Sequence, residues 1–341
     1  MRFRVIDANS CGAVETSDLD LAKTDATEKD AILQNLFHYG LLVFRGQSLR
    51  EGEAMAFTLH MTRGKPLMTF ETTPMCARAK DLSKPAHLPG FPSIRPIGNT
   101  KDAHGEPSAL FCRTGYEWHK DGDGEGITMI VCVKTPNSGG NTLFSSAYAH
   151  YDALSGPLKK IAESTIIVTS NRYTAGGPSA VDCENGLRMD ATGTRLVSTA
   201  HTRTTWWKLA ESRWPLVRVH PETGRKYVST GAKNLDHLVV DDVPLGPGAS
   251  RELLSEILLR GLRPTGLAPL DEDGLPVGLT AFDPDLVLEH RWRRGDVVLW
   301  DNRACLHSTT PVIYYADEER LHYHLIQARI QQAESPPRGP T

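Results

Sequence analysis

The chain contains no C-x-x-C pair. Its six cysteines, Cys11, Cys76, Cys112, Cys132, Cys183 and Cys305, are scattered along its length, and no charged-then-apolar leader precedes them. A secreted disulfide framework is therefore not expected, and the thiols suit a reducing, cytoplasmic setting. Long apolar runs are also missing. The longest, such as Ile130-Val131-Cys132-Val133, are of strand length and far short of a bilayer crossing, so a soluble protein is expected. Lys and Arg number 38 against 41 Asp and Glu, a formal net charge of −3, and no block of five or six like charges occurs. Neither a nucleic acid nor a membrane surface is indicated as a partner, which leaves a small molecule as the default. Internal repeats are absent. The 341 residues would hold two average domains, but β-barrels and jelly rolls of this size commonly form one.

What is present reads first as helix, strand, helix. Thr27 with Asp30 resembles a capping box ahead of the apolar face Ile32, Leu33, Leu36 and Phe37, with Gly40 as the stop before a strand Leu41–Phe44. Ser48 and Glu51 repeat the capping pattern before Ala54, Met55, Phe57 and Met61. Residues 64–110 are crowded with Pro and Gly steps that break long regular elements and are read as a lid-like border. Ile127 to Val133 is a β-rich run, residues 136–140 a turn, Asn141–Phe144 a second strand, and Ala147 to Leu154 a helix. The polar stretch 171–215 is read as a lid, and the Gly/Pro/Asp-rich stretch 264–283 as an insertion following the apolar helical face Leu253, Leu254, Ile257 and Leu258. Residues 331–341 carry too little apolar content to pack and are expected to be disordered.

The chemistry-bearing residues lie between and after these segments. In Trp118-His119-Lys120-Asp121, His119 and Asp121 are two apart, so at a strand end both project to one face while Trp118 and Lys120 point away. Alone, His-x-Asp is a weak signal, because a strand histidine beside an aspartate is more often a surface ion pair. Asp123 is a rival carboxylate, set across Gly122 from the motif, so Asp121 is preferred on spacing. Much later, Val297 to Trp300 reads as a buried strand, Asp301-Asn302-Arg303 as a turn, and His307 as the opening of a new strand. Two histidines and a carboxylate are the facial ligand set of non-haem Fe(II) oxygenases, with the opposite face open. Along Glu319–Ile326, alternation puts Arg320, His322 and His324 on one face and Leu321, Tyr323 and Leu325 on the other. A polar face inside a barrel implies a ligand; the bland alternative is an edge strand with solvated Arg and His.

Taken together, Trp118-His119-x-Asp121, Gly139-Gly140-Asn141-Thr142-Leu143-Phe144-Ser145-Ser146, His220-Pro221-Glu222-Thr223-Gly224-Arg225-Lys226, Trp300-Asp301-Asn302-Arg303-x-x-x-His307 and Arg320 resemble the taurine dioxygenase family of Fe(II)/2-oxoglutarate-dependent oxygenases. The N-terminal helix and the Gly40–Arg45 strand are also similar, so the resemblance covers nearly the whole chain apart from the insertions and tail. It implies an α+β fold with a mainly β core, a double-stranded β-helix of the jelly-roll or cupin-like type with flanking helices, forming one domain over residues 1–330. It implies iron ligation by His119, Asp121 and His307, with Arg320 pairing the distal carboxylate of 2-oxoglutarate and the Thr142 hydroxyl beside it. The cofactors implied are Fe(II), 2-oxoglutarate as cosubstrate and dioxygen, acting to oxidise an unactivated C–H bond. A planar guanidinium fork suits a carboxylate where water is excluded, which agrees with the role of Arg320.

One departure bears on the substrate. Sulfonate-oxidising members carry an arginine four residues beyond the cosubstrate arginine to hold the substrate anion, and here that position is His324. Histidine suits a weaker or uncharged acceptor, so taurine is disfavoured and an amino acid or a specialised-metabolite intermediate is expected. Candidate substrate contacts are Tyr116 and His324, with Arg203 and Trp206 from the 171–215 lid. His220, Trp300, Asp301, Asn302 and Arg303 are expected to pack and to pin the turn before His307, and His150 to be an exposed or packing histidine. A zinc-dependent hydrolase using the same three ligands, and a non-catalytic jelly-roll binding protein, are the competing readings; the first would not need Arg320 and Thr142, the second no triad at all. Homo-oligomerisation stays open.

Overall fold

The computed structural model describes residues 2–7, 12–70, 87–105, 108–109, 116–121, 125–137, 139–170, 187–189, 196–198, 211–229, 235–258, 286–310 and 318–328. In chain order the elements begin with β1 (Arg4–Val5), β2 (Val14–Thr16), α1 (Ala26–Tyr39), β3 (Leu41–Phe44), α2 (Glu51–Met61), β4 (Arg95–Gly98), β5 (Tyr116–His119), β6 (Ile127–Lys134) and β7 (Thr142–Ser146). They continue with α3 (Ala147–Asp152), α4 (Gly156–Ser164), β8 (Thr165–Ser170), β9 (Leu187–Met189), β10 (Leu196–Ser198), β11 (Glu211–Pro215), β12 (Val217–Val219) and β13 (Lys226–Val228). The last are β14 (Leu235–Val240), β15 (Val243–Pro244), α5 (Pro247–Ile257), β16 (Leu288–His290), β17 (Val297–Asp301), β18 (Cys305–Thr309) and β19 (Leu321–Ile326).

A seven-stranded sheet runs β1-β2-β3-β17-β6-β19-β4, antiparallel except where β2 meets β3, and a four-stranded antiparallel sheet runs β16-β7-β18-β5. Alternation along the central strands decides what each face of the larger sheet touches. Val297 and Leu299 join Leu42, Phe44, Met129, Val131 and Leu325 against the apolar faces of α1 and α2. Val298 and Trp300 point the other way, with Leu41, Val43, Ile130 and Cys132, and meet Phe144 and Cys305 of the smaller sheet. With both faces covered, these strands read as unbroken apolar runs rather than alternating ones. The far face of the smaller sheet, through Leu143 and Leu306, packs on a third cluster that includes Leu238, Leu254 and Ile257.

Helices α1, α3 and α4 start where a side chain accepts from one of the first free N–H groups. In α1 the capping box is Asp25 with Glu28, two residues upstream of the expected Thr27 and Asp30: Asp25 Oδ1 accepts from Glu28 N at 2.8 Å, and Glu28 Oε2 from Asp25 N at 3.1 Å. In α2 Glu53 accepts from Arg50 N at 2.8 Å, so Ser48 lies outside the helix. Gly40 closes α1 as expected, at φ 81° with its N–H donated to Leu36 O. The helix expected over 147–154 ends at Asp152, and a separate helix, α4, follows.

Within the stretch 64–110 read as a lid-like border, β4 is an edge strand of the larger sheet, and its Pro96 is tolerated because an edge residue need not donate to a neighbour on both sides. The stretch 171–215 likewise contributes β11, paired with β8, and the β9–β10 hairpin. The rest of that lid, with Arg203 and Trp206, the insertion 264–283, the tail 331–341 and Asp123 lie outside the described residues. Among the described residues no helix is long and apolar enough to cross a membrane.

Candidate metal centre

The smaller sheet sets two of the three expected ligands side by side. His307 of β18 and His119 of β5 are directly opposed partners, with ring centroids 4.1 Å apart. Phe144 is the partner of His307 on the other side, so His119, His307 and Phe144 share the face turned toward the larger sheet. Asp121, just past the end of β5, completes the group: His119, Asp121 and His307 are all buried, and one ligand atom from each lies within 4.8 Å of the others. As expected, Trp118 turns away, into the cluster behind the sheet.

Asn302 fixes where Asp121 sits. Its Oδ1 accepts from the Asp121 N–H at 3.0 Å and from Trp300 Nε1 at 3.1 Å, while its Nδ2 donates to Thr128 Oγ1 at 2.8 Å and to Gly126 O at 3.2 Å. One buried amide thus ties both ends of the 122–126 connection to the turn that leads into β18. Asp301 pins the same turn, accepting from Arg303 N and Nε, both at 2.8 Å, and from His220 Nε2 at 3.0 Å. His220 Nδ1 accepts from the N–H groups of Glu222 and Thr223, so its proton resides on Nε2 and is directed at Asp301. Burial raises the Asp301 pKa, but Arg303 and His220 outweigh it and hold the carboxyl well below its ordinary range. These contacts give His220 and residues 300–303 the supporting role expected of them. His150 is fully buried against Ser145 Oγ, and burial pushes its pKa down to about 3.

Asp121 is depressed too: burial opposes its ionisation, and the neighbouring His324 and His307 more than reverse that. His324 Nε2 lies 3.0 Å from Asp121 Oδ2, and His307 Nε2 lies 3.5 Å from the same oxygen. His324, offered above as a substrate contact, is therefore occupied with a metal-ligand candidate. Burial lowers its pKa against the pull of Asp121, favouring a neutral ring. Between the two ligand positions Lys120 is buried, its Nζ 4.5 Å from the Tyr227 ring centre and 3.4 Å from Arg303 O, and burial drives its pKa down to about 7.

The two residues expected to hold the cosubstrate, Arg320 just before β19 and Thr142 on β7, are linked through His322 and Trp292. Arg320, His322 and His324 are all buried, and His324 opposes Ile130, whose side chain lies in the intersheet cluster. Arg320 Nη2 is 3.4 Å from His322 Nδ1, and the Trp292 ring lies 4.6 Å from the His322 ring, centre to centre. Trp292 in turn donates from Nε1 to Thr142 Oγ1 at 3.0 Å. A hydroxyl that accepts one bond still has its own proton to give. Arg320 Nε is buried with no hydrogen-bond partner among the described residues. A buried guanidinium with an unanswered N–H fits an incoming carboxylate, and two imidazoles with one carboxylate fit a borderline divalent metal. Both donor sets match the groups expected.

Sequence reasoning did not single out Trp292, Asn99 or Arg95. Asn99 accepts the Arg320 N–H at 2.7 Å and donates to Glu318 O, fixing the start of β19. Arg95 Nη2 reaches His324 Nδ1 at 3.3 Å. Both lie in or beside a strand disguised by its prolines. Tyr116 lies in β5 opposite Thr309; its side chain is outside the described residues.

The chain is similar to known proteins over most of its length. The family model described as "Taurine catabolism dioxygenase TauD, TfdA family" matches residues 7–258 and 279–327, and its break overlaps the insertion read at 264–283. An alpha-ketoglutarate-dependent dioxygenase of Aspergillus oryzae is 28% identical over 329 residues, covering 91% of this chain and 83% of that protein. An alpha-ketoglutarate-dependent 2,4-dichlorophenoxyacetate dioxygenase of Cupriavidus pinatubonensis is 26% identical, covering 86% and 88%. Among solved structures, AAD-2 in complex with Mn(II) and N-oxalylglycine superposes with a TM-score of 0.63 at 20% identity, covering 96% of this chain and 98% of the other. A taurine dioxygenase from Burkholderia xenovorans gives 0.62 at 21%, covering 95% and 88%. At those identities the structures speak to a shared fold alone.

Proposed function

This chain belongs to the taurine catabolism dioxygenase TauD, TfdA family, and from that premise we propose that it uses Fe(II), 2-oxoglutarate and dioxygen to oxidise an unactivated C–H bond of a small molecule. Membership of a dioxygenase family sets aside the zinc-dependent hydrolase and the non-catalytic binding protein. We read the two facing sheets as the double-stranded β-helix of one domain over residues 1–330, working in the cytoplasm. The observation that carries the proposal is the buried His119, Asp121 and His307 triad, with Arg320 buried at the residue before β19, the strand whose His324 reaches Asp121.

In this reading His119, Asp121 and His307 are the residues that would hold the metal. Arg320 binds the distal carboxylate of 2-oxoglutarate, and Thr142, oriented by the Trp292 N–H, donates its hydroxyl proton to the same group. Phe144 and Trp300 wall the His307 side, their ring centres 6.3 and 4.9 Å from the imidazole, and exclude water from the reacting space. Fe(II) and 2-oxoglutarate, when bound there, would supply with dioxygen the oxidant for the substrate C–H bond, 2-oxoglutarate leaving as succinate and carbon dioxide. The protein's part is to bind, orient and keep dry.

Hydroxylation is the default outcome, with desaturation and ring closure open to the same ligand set. The substrate is read as an amino acid or a specialised-metabolite intermediate rather than taurine, because β19 itself carries His324 where an arginine would clamp a sulfonate, and the Arg95 guanidinium beside it is directed at His324 Nδ1. Succinate release measured across amino acids, sulfonates, sulfate esters and aryloxy carboxylic acids, followed by product mass, tests this. A gain of one oxygen marks hydroxylation and a loss of two hydrogens marks desaturation or cyclisation. Turnover confined to taurine would overturn the substrate reading.

A further inference from the structure

Both ring nitrogens of His324 are engaged, and by groups of opposite character. Arg95 Nη2 lies 3.3 Å from Nδ1, and Asp121 Oδ2 lies 3.0 Å from Nε2. A guanidinium has donors only, so Nδ1 must accept and cannot carry a proton. The ring proton then sits on Nε2, directed at the Asp121 carboxylate, which can only accept when ionised. The link is a product of sheet pairing rather than of loops, since Arg95 on β4 and His324 on β19 are opposed partners. The Arg95 guanidinium is further seated 4.9 Å from the Phe70 ring centre.

We propose that Arg95 is a positioning residue for the metal site: it fixes His324 as the Nε2–H tautomer, and His324 holds the Asp121 carboxylate in the orientation in which it faces His119 and His307. The role rests on the assignment of Asp121 as a metal ligand. It gives the strand position read from the sequence as a substrate contact a different task, and it brings a cation beside that position from the neighbouring strand. Outer-sphere partners of this kind typically change metal affinity by about 10- to 100-fold when removed.

Anaerobic cobalt(II) titration, followed by visible absorption, tests the link without turnover. Arg95→Met should weaken cobalt binding about 10- to 100-fold, and His324→Phe by a similar factor. His324→Gln, which keeps an acceptor for Arg95 and an N–H for Asp121, should stay within a few-fold of wild type. Combining Arg95→Met with His324→Phe should add no loss to that of His324→Phe alone. If Arg95→Met does not fold, Arg95→Gln, too short to reach His324 but still polar, gives the same reading. Wild-type affinity in the folded Arg95 variant, or losses that multiply in the double variant, would overturn the role of Arg95 alone. A wild-type protein that binds no cobalt would overturn the ligand assignment beneath it.

Discussion

Arg320 carries the sharpest expectation at the scale of single residues. A buried hydrogen bond to a charged group is worth about 1.5–3 kcal/mol, so Arg320→Ala should raise the 2-oxoglutarate requirement roughly 10- to 150-fold while cobalt(II) affinity stays that of wild type. Arg320→Lys should recover only part of the loss, because an ammonium does not present the guanidinium fork. Equal cosubstrate affinity in Arg320→Ala would remove the residue from the site. Lys120 makes a different prediction, about stability. Its folded pKa of about 7 lies below its unfolded value near 10.4, so between those values the unfolded chain binds more protons and stability rises with pH. Below pH 7 the folded protein carries a buried ammonium and that gain is absent. Urea midpoints measured from pH 6.5 to 8.5 should climb more steeply for wild type than for Lys120→Met, and parallel profiles would contradict the assignment.

Elements decide whether these residues meet. Gly98 ends β4 at φ +153°, and a Cβ placed there would lie 1.8 Å from Arg320 O, so only glycine lets β4 approach the start of β19 so closely. Gly98→Ala should shift Arg320 and raise the 2-oxoglutarate requirement at least tenfold, by calorimetric titration of the cobalt-loaded protein; an unchanged requirement would show that Arg320 is held by other contacts. The turn between β17 and β18 depends on Asp301. Breaking a buried ion pair by removing one partner costs about 3–5 kcal/mol, and Asp301→Asn should lose that much in urea unfolding because Arg303 and His220 lose their charged acceptor. A loss below about 1 kcal/mol would place Asp301 among ordinary polar contacts.

At this scale the sequence was legible where local chemistry is strong. Gly40 as a helix stop, the Val297 to Trp300 strand, and the one-faced array Arg320, His322 and His324 follow from φ preference and period-two alternation, and the structure has each of them. The α1 cap lies two residues upstream of the expected one because Thr27 and Asp25 both fit a capping pattern, and it is Asp25 and Glu28 whose carboxylates reach each other's N–H groups. β4 was hidden because Pro96 and the prolines before it argue against a strand, and its place at a sheet edge is a tertiary fact.

On the scale of the whole molecule, two sheets face each other between a helix-backed face and a further apolar cluster, and that enclosure brings residues 119, 121 and 307 together and links Arg320 to Thr142 through His322 and Trp292. Pattern alone permitted many β folds; the order of separated motifs, through family resemblance, narrowed them to one. Long-range pairings left no local mark. The Arg95–His324 and Trp292–Thr142 contacts join residues 229 and 150 positions apart, and no spacing rule reaches that far. Anaerobic titration of the folded protein with Fe(II) and 2-oxoglutarate shows whether the buried triad and Arg320 form a site for both. A weak visible charge-transfer band should develop with Fe(II) and 2-oxoglutarate in equal amounts, and should be lost in His307→Ala. A well-folded wild-type protein that gives no such band would contradict the account.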